Sequence, residues 1–95
     1  MFRIRKIFES SDTVIFTVEG TITDDQIEVW SQEIGLIAQR ENNHLIFNFC
    51  SLAFINAEGL RVLTSTLSNK IRIMNSSVYV RNVLNTTGCS KNLLD

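Results

Sequence analysis

The sequence predicts one α/β domain over residues 1–95, in which a four-stranded, mostly mixed β-sheet opens with a β-hairpin and carries two to three helices. Three observations predict this class. Two short strands separated by a polar turn begin the chain, a nearly continuous apolar segment occupies residues 45–50, and two segments with helical spacing alternate with the strands. A chain of 95 residues is long enough for one hydrophobic core.

Composition excludes several classes of function. The chain is 44% hydrophobic and has a formal net charge of −1, so it lacks the clustered basic surface that nucleic acids require. No apolar segment reaches the length of a transmembrane helix, and the first ten residues lack the long apolar segment of a signal peptide. We therefore expect a cytoplasmic protein with no nucleic-acid partner and no direct membrane insertion. The oligomeric state is not specified by the sequence.

The first strand is predicted to lie at the edge of the sheet. Phe2 and Ile4 alternate with Arg3 and Arg5, which is typical of a strand with one face in water. A second strand over residues 14–18 follows a polar turn, so the two strands should form a hairpin.

A first helix is predicted after the hairpin. Thr23 is a good N-cap, Gln26 completes a capping-box pattern, and helical spacing continues to about Arg40. The expected buried stripe of this helix consists of Ile27, Trp30, Ile34 and Ile37.

The segment LIFNFCSLAFINAEGL, from Leu45 to Leu60, is predicted to be a strand, a turn and the start of a helix. Its apolar beginning favours a central strand that is covered on both faces, with Cys50 as a small core residue. Residues 52–55 should return the chain to the core, and Asn56 should cap a helix that begins at Ala57.

The second helix carries a carboxylate and a glycine in its first turn. Glu58 is favoured there by the positive end of the helix dipole, and Gly59 indicates that another group comes close to the backbone. The inner stripe is expected to consist of Leu60, Leu63 and Leu67, with Arg61, Thr64 and Ser68 pointing outward.

The last third of the chain is less regular. Residues 71–74 have no clear period, so a helical continuation and an apolar loop both remain open. Val78 to Val80, extending as far as Val83, predicts the fourth strand. A turn and a short helical stretch around Leu93 and Leu94 are expected to follow.

The spacing of the central segment resembles the STAS domain, which is found in anti-anti-sigma factors and anion transporters. The family motif is a strand ending in D-L-S, then a hydrophobic pair and D-S-[ST]-G-[LI] at a helix start. This chain has NFC at residues 48–50 and FINAEGL at residues 54–60, and VEGTIT at residues 18–23 resembles the family's G-x-[IL]-[DT] strand end. The resemblance covers most of the chain and implies the STAS fold. Family members continue into a longer last helix, so the last helix here is expected to be short or truncated.

The resemblance implies a non-catalytic protein-binding module of the anti-sigma factor antagonist type. In such partner-switching circuits the unphosphorylated STAS protein docks onto a kinase-like anti-sigma factor, and phosphorylation of a hydroxyl at the start of the second helix ends the docking. Here Ala57 occupies that position and cannot accept phosphate. Asn48, Asn56 and Thr23 stand where the family commonly has aspartate. Phosphorylation at this position is therefore expected to be absent.

The surface around the start of the second helix is expected to bind the partner. The residues expected to contact it are Thr23, Asn56, Ala57, Glu58, Arg61 and Thr64. Two states remain open, because the patch is either constitutively engaged or held in a phosphate-like state by the fixed charge of Glu58. A simpler explanation, in which Asn56 only caps the helix and Glu58 only interacts with its dipole, is equally compatible.

Other functions are weighed against this one. The resemblance also allows a STAS-type accessory subunit of a lipid ABC transporter, since such subunits often lack the phosphorylation site. A third alternative is a STAS domain that binds a nucleotide or another small ligand. Cys50 and Cys89 have no ligand partners nearby and His44 has no neighbouring nucleophile, so the sequence predicts no metal, no cofactor and no enzyme.

Overall fold

The computed structural model describes residues 1–94 of the chain, and this part contains five strands and three helices. The strands are β1 (Phe2–Glu9), β2 (Thr13–Ile22), β3 (His44–Asn48), β4 (Leu52–Ile55) and β5 (Ile71–Met74). The helices are α1 (Ile27–Arg40), α2 (Ala57–Thr66) and α3 (Val78–Thr86), and two short 3-10 turns lie at Asp24–Gln26 and Ser90–Asn92.

All five strands form one mixed sheet. β1 is antiparallel to β2, whereas β3 is parallel to β2 and β5 is parallel to β3, so the order is β1-β2-β3-β5. β4 pairs in parallel with the far end of β2. The chain moves in one direction across the sheet from β2 to β3 to β5, and parallel crossovers are right-handed, so α1 and α2 lie on the same face. The predicted α/β class with an opening hairpin is confirmed.

The hydrophobic core lies between this face of the sheet and the helices. Alternate residues of β2, among them Val14 and Val18, are fully buried against it, as is Phe47 of β3. From α1, Trp30 and Ile34 are fully buried, as the helical spacing predicts. The core therefore consists of every second residue of the strands and of every third or fourth residue of the helices.

The sheet has five strands rather than the predicted four. Ile71–Met74, for which the sequence leaves two alternatives open, is strand β5, with Ile71 and Ile73 buried in the core. Leu52–Ile55 is the short strand β4. A four-residue strand shows too few alternations for its period to be read from the sequence.

The predicted strand at Val78 to Val83 is wrong, because this segment forms helix α3. The hydroxyl of Ser77 accepts a hydrogen bond from the backbone N–H of Val80 at 3.2 Å and so caps the helix. Val80 and Leu84, four residues apart, are both buried in the core. The cap and this packing outweigh the strand propensity of the β-branched residues.

Two smaller expectations are also wrong. Cys50 is exposed rather than buried, because β3 ends at Asn48 and the chain turns there. Leu93, expected in a helical stretch, instead forms a parallel bridge with Ile73. The buried side chain of Asn92 just before it donates hydrogen bonds to the carbonyl of Ser68, in the connection between α2 and β5, and to the carbonyl of Ile71, the first residue of β5.

Gly59 is the point at which α2 meets the rest of the fold. The indole Nε1 of Trp30 donates a 3.0 Å hydrogen bond to the carbonyl of Gly59. A Cβ atom at Gly59 would lie only 2.8 Å from Cγ1 of Ile55 and 3.1 Å from Cγ2 of Ile22. The close approach predicted from this glycine is confirmed, and any larger residue would push α2 away from the sheet.

Replacing Gly59 by alanine should destabilise the protein, although alanine is the better helix former. Overpacking a core typically costs about 1–3 kcal/mol, which exceeds the gain of roughly 0.5–1 kcal/mol in helix propensity. Gly35 in α1 is a matched control, because a Cβ there would have nothing within 4 Å, so Gly35→Ala should stabilise. Urea unfolding measures both effects, and a shift of the two midpoints in the same direction would contradict the packing at Gly59.

Candidate functional site

Helix α2 begins with a complete N-terminal cap. The side-chain Oδ1 of Asn56 accepts a 2.8 Å hydrogen bond from the backbone N–H of Gly59. The backbone N–H of Asn56 donates to the carbonyl of Ile22 at 3.1 Å, which ties the cap to the end of β2. The predicted cap is confirmed, and it places the exposed Ala57 at the first position of the helix.

A polar contact joins the start of α2 to the 3-10 turn at Asp24–Gln26, which precedes α1. Nδ2 of Asn56 donates a 2.7 Å hydrogen bond to Oδ1 of Asp24. One residue earlier, the hydroxyl of Thr23 donates to Oδ1 of Asp25 at 2.7 Å. Thr23 and Asn56 thus bind two neighbouring carboxylates, and Asn56 uses both the oxygen and the nitrogen of its side-chain amide.

Glu58 forms a two-pronged ion pair with Arg61 on the exposed side of α2. Nε of Arg61 lies 3.0 Å from each carboxylate oxygen, and Nη2 lies 2.5 Å from Oε2. Hydrogen bonding from Arg61 lowers the pKa of Glu58 below the ordinary value of a glutamate, and the same contact raises the pKa of Arg61. The fixed negative charge beside Ala57 is thus matched by a fixed positive charge within one helical turn.

An apolar groove runs from Ala57 along the line where α2 and α3 meet. Its volume is about 210 Å³. It is lined by Ala57, Leu60, Arg61 and Thr64 from α2 and by Tyr79, Val83 and Thr87 from the α3 side. A second hollow of about 310 Å³ adjoins it between β4 and the start of α3, and Tyr79 lines both.

Large apolar side chains around these two hollows are exposed to solvent. Phe54 is 52% exposed, Val78 76% and Tyr79 50%. Contiguous exposed apolar surface of this kind marks interaction sites on small domains. We refer to Phe54, Ala57, Val78, Tyr79 and the groove between α2 and α3 as the α2–α3 face.

The structure brings together only part of the predicted site. Ala57, Arg61 and Thr64 line the groove, and Glu58 is held at its edge by Arg61. Thr23 and Asn56 lie outside the groove lining. That these residues contact a partner stays a prediction.

Sequence reasoning missed the α3 side of this face. Tyr79, Val83 and Thr87 escape notice when residues 78–83 are assigned to a strand. Two signals in the sequence could have found the helix, namely Ser77 as an N-cap and the apolar spacing of Val80 and Leu84.

Asn48, which stands where the family commonly has aspartate, lies at the end of β3 away from the groove. Its Nδ2 donates to the hydroxyl of Thr17 at 3.2 Å, and its Oδ1 accepts from the amides of Asn75 and Cys50. A carboxylate could not make the donation to Thr17. Asn48 therefore holds the turn after β3 together and leaves no free group for chemistry.

No grouping of catalytic or metal-binding side chains stands out in the part of the chain that the structure describes. Within residues 1–94, no three histidine, cysteine, aspartate or glutamate side chains lie close enough to hold a metal ion. His44 is exposed at the start of β3. None of the helices described for residues 1–94 has the length and apolar character needed to cross a bilayer.

Comparisons with known proteins identify the fold. No protein-family model and no curated protein matches the sequence. Among solved structures, an anti-sigma factor antagonist from Mycobacterium paratuberculosis matches with a TM-score of 0.75 at 17% identity, over 99% of this chain and 84% of its own. SpoIIAA, also an anti-sigma factor antagonist, matches in its unphosphorylated form with a TM-score of 0.70 at 16% identity, over 98% and 88%. The phosphorylated form of the Bacillus cell fate determinant SpoIIAA matches with a TM-score of 0.71 at 17% identity, over 98% of this chain and 90% of its own.

These likenesses show that the chain has the STAS fold of the anti-sigma factor antagonists. The TM-scores for the unphosphorylated and phosphorylated forms of SpoIIAA are almost equal. The backbone fold therefore does not distinguish a phosphorylated from an unphosphorylated state. Any difference between the two states must come from side chains.

Substitutions at Asn56 should separate its two contacts. Asn56→Ser keeps an acceptor for the cap, so it should destabilise by less than the roughly 0.5–2 kcal/mol expected for Asn56→Ala. Asn56→Asp also keeps the acceptor but sets a second carboxylate against Asp24, 2.7 Å from the present amide. At neutral pH it should therefore be less stable than Asn56→Ser, and added salt should narrow the difference by screening the two like charges. Thermal unfolding at low and high salt measures this, and equal stability of the two variants at low salt would contradict the Asp24 contact.

Proposed function

We propose that this chain is a non-catalytic protein-docking module of the anti-sigma factor antagonist type, which is not phosphorylated at the start of α2. The observation that carries the proposal is the exposed Ala57 at that helix start, beside an apolar groove and with no hydroxyl to accept a phosphoryl group. The docking surface is the α2–α3 face.

The physical character of the α2–α3 face supports docking rather than catalysis. Its exposed aromatic and aliphatic side chains offer apolar area that a partner would remove from water. Burial of such area gives a favourable free energy of about 25 cal/mol per Å². The groove contains one charged group, Arg61, which already has a partner in Glu58. Interfaces of this kind have an apolar centre with charges at the rim.

The ion pair favours the constitutively engaged state over the phosphate-like state. A phosphate at the helix start would add a charge of about −1.5 to −2. In a packed contact this charge would lose its hydration and repel acidic groups of the partner, which weakens docking. Glu58 brings one negative charge, and Arg61 matches it through three short contacts. The helix start therefore resembles an unphosphorylated surface in its charge, and docking should persist without a switch.

The partner that fits best is an anti-sigma factor, since the matched structures are named anti-sigma factor antagonists. The family resemblance of the sequence implies that this partner would have a kinase-like ATPase fold. In a partner-switching circuit, a chain without a phosphoacceptor would hold such a partner regardless of the ATP supply. Both proteins would act in the cytoplasm, and residues 1–95 would act as a single domain.

Adding a negative charge at Ala57 should release the partner. Asp is well tolerated at the first position of a helix, so Ala57→Asp should fold normally. We expect its affinity for the anti-sigma factor that binds the wild-type chain to fall by about tenfold or more, because the new charge would be desolvated in the contact. Calorimetric titration with the purified anti-sigma factors of the same genome measures this.

The double variant Glu58→Gln with Arg61→Gln is the matched control, because it removes the ion pair without changing the net charge. Constitutive docking predicts an affinity no higher than that of the wild type, because Arg61 lines the docking groove, whereas a phosphate-like Glu58 predicts tighter binding in the double variant. The proposal fails if no anti-sigma factor binds the wild-type chain, or if Ala57→Asp binds as tightly as the wild type.

A further inference from the structure

The sheet has a second face that no helix covers within residues 1–94. Side chains alternate along each strand, so the neighbours of the buried Val14, Phe47 and Ile73 point to the opposite side. Ile15, Ile46 and Met74 on that side are only partly buried, and none of them belongs to the hydrophobic core or packs against it. We refer to this side as the open face.

An open face is unusual for parallel strands. β2, β3 and β5 are parallel to one another, and sheets of that kind are normally covered on both sides. The nearly continuous apolar sequence of β3 likewise predicts a strand covered on both faces. The helices of this chain satisfy that expectation on one side only, which leaves aliphatic surface in the middle of the other side.

The strand registers place the side chains of the open face in two parallel rows that cross the four strands. Across β1, β2, β3 and β5, one row reads Phe8, Ile15, Ile46, Arg72 and the next reads Arg5, Thr17, Asn48, Met74. Phe8 and Met74 therefore stand at opposite corners, and the line that joins them, which we call the apolar diagonal, passes between the partly buried Ile15 and Ile46 and the buried Thr17 and Asn48. Arg5 and Arg72 occupy the other two corners.

The charge of the open face is positive although the whole chain carries −1. Arg3 and Arg5 share one carboxylate, that of Glu19, at 3.3 and 2.7 Å. Arg72 donates to the carbonyls of Asn69 and Ile71, and within residues 1–94 it has no carboxylate partner. The apolar diagonal thus has an incompletely neutralised cation on each side.

We propose that the open face binds an amphipathic α-helix of a partner protein, with acidic side chains on both sides of its apolar stripe. β1 and β5 are three strand spacings apart, about 14 Å. A helix about 10 Å across fits along the apolar diagonal between Arg5 and Arg72. This surface lies on the side of the sheet away from the helices, so the inference is independent of docking at the α2–α3 face.

Two designed peptides of about 18 residues test the inference. Both carry leucine at helical spacing, and they differ only in having glutamate or lysine on the two sides of the leucine stripe. We expect the glutamate peptide to shift the NMR methyl signals of Ile15, Ile46 and Met74. We also expect it to bind about tenfold more tightly than the lysine peptide, because its charges complement the arginines.

Two variants and a control assign the contact. Arg5→Gln with Arg72→Gln should weaken binding of the glutamate peptide by about tenfold, whereas the same loss of charge at the exposed Arg40 and Lys91 should change it by about twofold or less. Ile15→Thr with Ile46→Thr keeps β-branched side chains in the strands and should abolish the shifts. Thermal unfolding confirms that each variant is folded.

Several outcomes would overturn the inference. These are the absence of binding, equal affinity for both peptides, or methyl shifts confined to the α2–α3 face. Self-association of the free protein through Ile15 and Ile46, detected by sedimentation, would show that a second copy covers the face. Displacement of the peptide by a short oligothymidylate would show a nucleic-acid platform instead.

Discussion

The contact of Gly59 with the sheet and with α1 determines where helix α2 starts. Its carbonyl accepts from Trp30, and its missing side chain lets the helix approach Ile55 and Ile22. Because the helix is fixed at its third residue, the first residue, Ala57, stands at the exposed corner. The cap by Asn56 and the groove between α2 and α3 depend on the same placement.

This chain has the backbone fold of the anti-sigma factor antagonists, and under the proposed function it has that fold without a phosphorylation switch. The backbone matches SpoIIAA in both of its forms with almost the same TM-score. What the fold provides is a helix start presented to solvent, and under the proposed function the residue at that start decides whether docking is regulated. Ala57 offers no hydroxyl there, and Arg61 offsets the negative charge of Glu58.

The sequence predicted the parts of the fold that rest on local signals. The edge strand, the first helix with its end near Arg40 and the cap at Asn56 each depend on alternation, helical spacing or a capping residue within a few positions. Glu58 was predicted as a charge, but its pairing with Arg61 depends on rotamers that a sequence does not specify.

The predictions failed where tertiary packing overrides local preference. The valines of α3 favour a strand, yet a serine cap and two buried positions make the segment a helix. The groove was consequently missed, since three of its seven lining residues lie in that helix or directly after it. The open face could not be predicted either, because the apolar sequence of β3 indicates coverage on both sides and only the topology shows that the described helices cover one side.

The pairing of Glu58 with Arg61 is tested most directly by NMR titration of the Glu58 side-chain carboxyl carbon. We expect a pKa below the ordinary value of glutamate, returning toward that value in Arg61→Gln. Since the folded pKa is lowered, the pair stabilises the fold above the unfolded pKa, and this contribution is lost as the pH falls through the folded pKa. An ordinary pKa that Arg61→Gln leaves unchanged would contradict the pairing and would make Glu58 a free charge beside Ala57.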